Sequence, residues 1–365
     1  MAKRIAGLLV GVVLALVVWV LWPSPLDSAA WQPPEPPTMD GPLSPNEALK
    51  EAELLALGQV RGPEDTAVDE QGVIHAGTAD GWIVRIDRAG EVSRWVQTGG
   101  RPLGMEFDEE GNLIVADSWK GLLSINPAGE MEVLSTASEG IPFAFTDDLD
   151  IASDGRIYFS DASDKYTQPD YILDIMESRP HGRLLRYDPD TGETRTLMDG
   201  LYFANGVALS SEEDFVLVNE TGRYRIQRYW LKGERAGESE LFASNLPGFP
   251  DNLARDSQGV FWVAIPTKRN AMLDSLHPHP ARKDLLAKLP RSLQPGPEPY
   301  GLVLAYNGRG ELLGSLHDST GEHLDMITSV KPHQGQLYFG SLYNDRIGRL
   351  PLEQARAALQ GQEQR

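Results

Sequence analysis

Six copies of one strand-and-turn pattern run along this chain, and they limit its fold more than any other feature. Residues 65 to 87, DTAVDEQGVIHAGTADGWIVRID, read as a short strand, a glycine turn, an apolar strand, a second glycine turn and a third strand. Residues 104 to 126, GMEFDEEGNLIVADSWKGLLSIN, repeat the scheme. A third copy starts at Asp148 with DLDIASDGRIYFSDA and is completed, after an insertion, by GRLLRYD. GVALSSEEDFVLVNETGRYRIQRYW is the fourth; NLARDSQGVFWVAI, completed by YGLVLAYN, is the fifth; TSVKPHQGQLYFGSLYNDRIGRL is the sixth. Five copies run on into a further strand: EVSRWV, EMEVLS, ETRTLM, ESELFA and ELLGSL. Four antiparallel strands per copy is the unit of a propeller blade, so the fold expected is an all-β, six-bladed β-propeller. A sandwich of short strands is the competing architecture, and the regularity of the copies argues against it. The sixth copy lacks its own fourth strand, and LLALGQV, before the first copy, is the segment expected to supply it.

Aligned on their first turn, the copies carry Glu64, Leu103, Asp147, Asn205, Asp251 and Ile327 just ahead of the first strand. The next position carries Asp65, Gly104, Asp148, Gly206, Asn252 and Thr328. First strands line a propeller's central channel, so four blades are expected to aim oxygen-bearing side chains at one point. Three carboxylates and an amide so placed repel one another unless a cation sits among them. Hard oxygen donors without His or Cys suit Ca²⁺ and disfavour zinc. The candidate ligands are Glu64, Asp147, Asn205 and Asp251, with Asp148 or Asn252 able to join. The alternative is local capping of strand ends, which Asp and Asn also perform.

The chain has 365 residues, no cysteine and a formal net charge of −20. Thiol chemistry and disulfides are therefore excluded, and the net charge argues against nucleic acid, because phosphate binding needs a basic face. At the N-terminus, Lys3 and Arg4 precede IAGLLVGVVLALVVWVLW, residues 5 to 22, which is uncharged. Such a run, at about 1.5 Å per residue, is long enough to cross a hydrocarbon core. It is expected to be a transmembrane signal anchor, with the N-terminus cytoplasmic and the rest of the chain on the far side. A cleavable signal peptide, with SAA at 28 to 30 as its site, is the competing reading. The organisation expected is an anchor at 1–22, a Pro-rich spacer at 23–45, the propeller at 46–352 and a polar, helical tail at 353–365.

Residues 182 to 233, GRLLRYDPDTGETRTLMDGLYFANGVALSSEEDFVLVNETGRYRIQRYWLKG, resemble the central signature of the strictosidine synthase-like family. The resemblance is closest to its membrane-anchored branch, the adipocyte plasma membrane-associated type. FPDNLARDSQGVFWVA and GSLHDSTGEHLDMITSVKPHQGQLYFGSLYNDRIGRL extend it to roughly residues 55 to 350. The resemblance implies kinship with paraoxonase and gluconolactonase propellers, whose axial calcium site hydrolyses lactones or aryl esters. Glu64 in GPED, Asp147 in TDDLD, Asn205 in ANGVA and Asp251 with Asn252 in PDNL then match the calcium ligands. Asp147 stands where paraoxonases have an amide. Plant synthases carry a catalytic glutamate two residues past a GEH triplet; here that position is Asp325, a shorter acid. The histidine base proposed in paraoxonases has no clear counterpart among His75, His181 and His317.

The activity this implies is calcium-dependent hydrolysis of a small ester or lactone, with Asp251 orienting or deprotonating the water. No serine stands in a GxSxG elbow, which argues against an acyl-enzyme. The insertions 164–181 and 266–299 are expected to roof the channel. A tethered binding propeller with structural calcium and an amine–aldehyde condensing enzyme are the alternatives.

Overall fold

The structure, a computed structural model, describes residues 4, 5, 11, 14, 18–294 and 296–363. Six four-stranded antiparallel sheets follow one another around an axis. Their innermost strands are Thr66–Val68, Pro102–Phe107, Thr146–Ile151, Ala204–Leu209, Leu253–Arg255 and Ile327–His333, and each touches the next, the last touching the first. Blades one to five are continuous in sequence apart from the two insertions. Blade six takes its outer strand, Glu53–Leu55, from the far end of the chain, with Glu53 opposite Arg349 and Leu55 opposite Ile347. The expected closing segment thus pairs through its first residues, and it locks residue 53 onto residue 349.

Packing between blades explains the residue types on the inner strands. A Cβ on Gly104 would stand 2.5 Å from Asp148 Oδ1 and 2.6 Å from Asp148 Cα. On Gly206 it would stand 2.5 Å from Asp251 O. Glycine in one blade therefore admits the acid-bearing strand of the next. Apolar side chains of neighbouring sheets interlock between them: Trp262, Val303, Leu337 and Phe339, for example, form one cluster between blades five and six.

Both ends of the chain depart from the expected organisation. The segment expected as a spacer, residues 23–45, lies as a strap along the propeller and its insertions. Leu26 is buried with Tyr166, Met176 and Leu286. Ala29 N donates to Glu177 O and Trp31 N to His277 O, while Lys283 Nζ donates to Ala29 O at 2.6 Å. Proline removes donors from this stretch and keeps it extended, so the backbone groups that remain can pair sideways with the insertions. Downstream, Leu43 and Leu49 are buried against blade five and its neighbours. The C-terminal tail is a helix, α4 (Leu352–Glu363), once three insertion helices are numbered α1 (Tyr171–Glu177), α2 (Ala271–Leu276) and α3 (Pro280–Ala287). It is docked rather than free: Leu352, Ala355 and Leu359 face the core, and Gln362 Oε1 accepts from Ser315 N at 2.9 Å.

Among the described residues no helix is long and apolar enough to cross a membrane. The expected anchor, residues 5 to 22, falls largely outside the described residues.

Leu49 is fully buried in the apolar cluster formed by blades five and six, so Leu49→Ala is expected to cost about 2–5 kcal/mol. A lowered urea midpoint with an unchanged slope is the measurement that checks it.

Candidate functional site

Glu64, Asp147, Asn205 and Asp251 come together at the floor of one cavity, supplied by blades one, three, four and five. The first three are almost wholly buried, and Asp251 is half-buried. Blade two contributes Leu103, as the repeat alignment expects. Blade six differs. Thr328 lines the cavity, whereas Ile327 is fully buried in the core between blades five and six. The first turn gives the reason: in blade six Pro332 pairs with Leu337, whereas in blade three Ile151 pairs with Ile157, so the blade-six turn is one residue shorter and alignment on the turn glycine displaces its register by one. Blade six thus adds a hydroxyl instead of an aliphatic group, and Thr328 Oγ1 donates to Glu64 O at 2.8 Å.

The second ring lies one layer deeper, and two of its carboxylates hold neighbouring blades. Asp65 Oδ2 accepts from Met105 N at 3.0 Å, and Asp148 Oδ2 accepts from Val207 N at 2.9 Å. Asn252 Nδ2 donates to Glu64 Oε1 at 3.3 Å, so Asn252 touches the upper ring from below. Asp148 and Asn252 are therefore supports of the floor and do not line the cavity themselves. Lys331 lies 3.6 Å from Asp65 Oδ2 and 3.3 Å from Glu106 Oε2. Burial pulls its ammonium pKa down, but Asp65, Glu106, Asp148 and Asp150 together hold it well above the ordinary value. This buried cation is read from sequence only as a lysine inside an inner strand, SVKPH, where a solvent-facing group has no place.

The upper ring has no such partner. Burial, then the charges of Asp251, Asp65 and Asp147, push Glu64 well above the carboxylate range. Burial and then Asp251 and Asp148 do the same to Asp147. Burial pushes Asp251 up to about 8, against a hydrogen bond from Asn205 that pulls it down. The Arg101 guanidinium offsets part of this at Glu64 and Asp147, but it makes no ion pair with the ring and donates instead to Gly77 O and Gly62 O. Glu64 Oε2, Asn205 Oδ1, Asp148 Oδ1 and Asn252 Oδ1 are buried without a hydrogen-bond partner. Buried oxygens in this state are what a hard cation would satisfy, so the donor set fits calcium in kind. Among the described residues no three His, Asp or Glu side chains are already gathered closely enough to hold a metal ion.

Above the floor the cavity is lined mainly by apolar side chains. Phe145, Phe203 and Phe249 form its wall. The two insertions roof it, α1 with Tyr171, Ile172, Ile175 and Met176, and 266–299 with Asn270 and Leu273. Tyr171 Oη lies 3.2 Å from Tyr343 Oη across the mouth.

The remaining candidates fall elsewhere. Asp325 does not line the cavity; the Asn344 side-chain amide donates to it, and its carbonyl accepts from Ser341 Oγ at 3.0 Å. The turn at Met326 sends Met326 and Thr328 into the cavity and leaves Asp325 outside. His75 accepts from Arg85 Nε at 2.9 Å between Trp95 and Phe107, and burial pulls it down to about 4. His181 is bound to Glu177 at 2.8 Å, and His317 to Tyr300 and Ser315 at 2.9 and 2.7 Å. None of the three lines the cavity.

A six-bladed propeller with an acidic axial floor under a roofed apolar cavity is the class that fold and site define. Sequence comparison places the chain within that class. A strictosidine synthase family model matches residues 147–234, and a strictosidine synthase-like N-terminal model matches residues 41–86. Adipocyte plasma membrane-associated protein of Rattus norvegicus is 39% identical over 358 residues, covering 92% of this chain and 95% of the relative. Protein STRICTOSIDINE SYNTHASE-LIKE 4 of Arabidopsis thaliana is 36% identical over 327 residues, covering 87% and 86%. The chain belongs to the strictosidine synthase-like family. Among solved structures it is similar in fold to a gluconolactonase from Xanthomonas campestris, with a TM-score of 0.61 at 18% identity, covering 91% and 99% of the two chains. It is also similar to a regucalcin from Agrobacterium tumefaciens, described as calcium-binding, with a TM-score of 0.57 at 12% identity, covering 81% and 92%.

The raised carboxyls give a pH dependence of known sign. A carboxyl whose folded pKa lies above its unfolded value stabilises fully at low pH and loses that contribution as pH rises through the folded pKa. For Asp148 and Asp251, at about 7 and 8, that loss extends from about pH 4 to 8. Glu177, held at about 2 through its hydrogen bonds from Lys165 and Tyr166 in spite of burial, acts oppositely but only below the unfolded value. Metal-free protein is therefore expected to melt higher at pH 5 than at pH 8, and added calcium is expected to raise the melting temperature most at pH 8. Thermal melts in chelator and in calcium at both pH values check this.

Proposed function

We propose that this chain is a calcium-dependent hydrolase of lactones or aryl esters. The observation that carries the reading is the convergence of Glu64, Asp147, Asn205 and Asp251, with unpartnered oxygens, beneath an otherwise apolar cavity. Likeness of fold to a gluconolactonase and to a calcium-binding regucalcin supports it. The four side chains would hold the ion, with Asn252 and Asp148 buttressing them. Calcium bound there supplies Lewis-acid polarisation of the substrate carbonyl.

The rest of the chemistry falls to the chain. Phe145, Phe203 and Phe249 pack the aryl or alkyl part and keep bulk water from the floor. Asp251, half-buried and at about 8 before any cation lowers it, takes a proton from the attacking water. The water oxygen bonds to the carbonyl carbon, the ester C–O bond breaks, and the alcohol leaves with the proton from Asp251. Asn205 sits beside Asp251 on the cavity floor and favours its ionised form. Asp325 has no part in these steps, and its place outside the cavity also removes support from amine–aldehyde condensation.

We further assign residues 5–22 as a single-pass anchor, with Lys3 and Arg4 on the cytoplasmic side and the propeller on the other. Relatives named plasma membrane-associated support membrane attachment.

Phenyl acetate and a γ-lactone are suitable first substrates. Activity is expected to vanish in chelator and return with calcium. Asp251→Asn is expected to lower kcat by about 10²-fold or more, and Glu64→Gln to weaken calcium binding as well. A calcium-dependent rise in melting temperature without turnover of any ester or lactone would leave a binding propeller with structural calcium as the better reading.

A further inference from the structure

The strap fixes where the cavity mouth lies relative to the expected anchor. Leu26 packs with Met176, and Met176 also lines the cavity. A single side chain therefore separates the cavity from a residue four positions after Trp22, where the apolar run ends. Four extended residues span at most about 14 Å. The polar layer of a bilayer takes up roughly 5–8 Å of that on each side. The attachment is built from several bonds: Asp27 N donates to Glu177 Oε2 at 2.9 Å, Ser28 Oγ to Asp284 at 2.7 Å, and Lys288 Nζ to Val20 O at 2.9 Å.

The outer surface of the roof has the composition of a membrane-facing one. Of the six basic residues of insertion 266–299, Lys283 and Arg269 are turned inward and paired, which leaves Lys268, Arg282, Lys288 and Arg291 toward the outside in a chain of net charge −20. Met272, next to the cavity-lining Leu273, is 52% exposed, and Leu293 is 66% exposed. Apolar side chains interspersed with Lys and Arg are the mixture that settles at a lipid head-group layer.

We propose that the strap holds the cavity mouth against the bilayer, so that the site draws an ester or lactone with a long acyl or alkyl chain from the membrane rather than from solution. The apolar lining supports this substrate class: Phe145, Phe203 and Phe249 on the wall and Ile172, Ile175 and Leu273 on the roof offer an acyl or alkyl chain continuous contact. The placement rests on the anchor at 5–22, and the substrate class rests on the hydrolase reading.

The absence of cysteine makes the test direct. Full-length protein carrying Met272→Cys, Leu293→Cys or, on the opposite face in the first turn of blade two, Glu110→Cys is labelled with an environment-sensitive fluorophore. It is reconstituted into phosphatidylcholine vesicles containing doxyl-labelled lipid. Quenching at 272 and 293 but not at 110 is expected. Equal quenching at all three positions, or none at 272 and 293, overturns the placement. Leu26→Asp, which cuts the strap from the roof, is expected to reduce quenching at 272 and 293; unchanged quenching shows that the strap does not set the orientation. In the same vesicles a naphthyl laurate should be turned over at least tenfold faster than naphthyl acetate, and a ratio near one overturns entry from the membrane. No turnover of either ester alongside the expected quenching pattern overturns the hydrolase reading, and with it the substrate class, while the placement stands.

Discussion

Ring closure is the constraint on which the rest of this molecule depends. Three residues, Glu53–Leu55, pair with Ile347–Arg349 and complete the sixth sheet. That pairing gives the innermost strands a common axis. Without it, Glu64 on blade one and Asp251 on blade five have no reason to meet, because nothing local links residues so distant in sequence. Closure also removes the exposed sheet edges that an open array of four-stranded sheets would present.

Closure has an electrostatic cost concentrated at the axis, and the two layers of acids meet it differently. The deeper layer is neutralised by the protein itself: Lys331 sits among Asp65, Glu106, Asp148 and Asp150, and the backbone N–H groups of Met105 and Val207 take up further lone pairs. The upper layer, Glu64, Asp147 and Asp251, has neither a lysine nor a full set of donors, and its carboxyls are driven toward protonation. A fold can tolerate such a floor when a ligand or cation relieves it, and functional sites are where strain of this kind is kept.

The insertions and the strap act as one unit over this floor. Helices α1 and α2 carry apolar residues on the side facing the cavity, α3 packs against both, and the strap binds them from outside through Leu26, Ala29 and Trp31. Glu177 shows how closely they are joined, receiving Asp27 N, Lys165 and His181 on one carboxylate. A segment rich in proline can serve as such a clamp because it offers few donors of its own and loses little conformational freedom on docking.

Blade number, the closing segment and five of the six upper-ring positions were legible in the sequence, because each depends on a period-two pattern and a glycine turn that repeat. Blade six was misread by one residue, since its first turn is one residue shorter than that of blade three and the copies were aligned on that turn. Asp325 came from the GEH triplet of the resemblance and not from the repeat, and in the fold its carboxylate takes the Asn344 amide outside the cavity. The strap was read as a spacer because its composition matches one, and its partners lie about 150 to 250 residues away.

The sequence by itself determined the repeating unit, the acidic character of the axis and the absence of thiol chemistry, all of which follow from residue type and local spacing. Tertiary structure alone decided which acids stay uncompensated and which are paired with Lys331. It also decided that the Pro-rich segment lies on the roof and that Thr328 rather than Ile327 faces the cavity. Those outcomes depend on contacts between blades and insertions far apart in the chain, and local sequence carries no record of them.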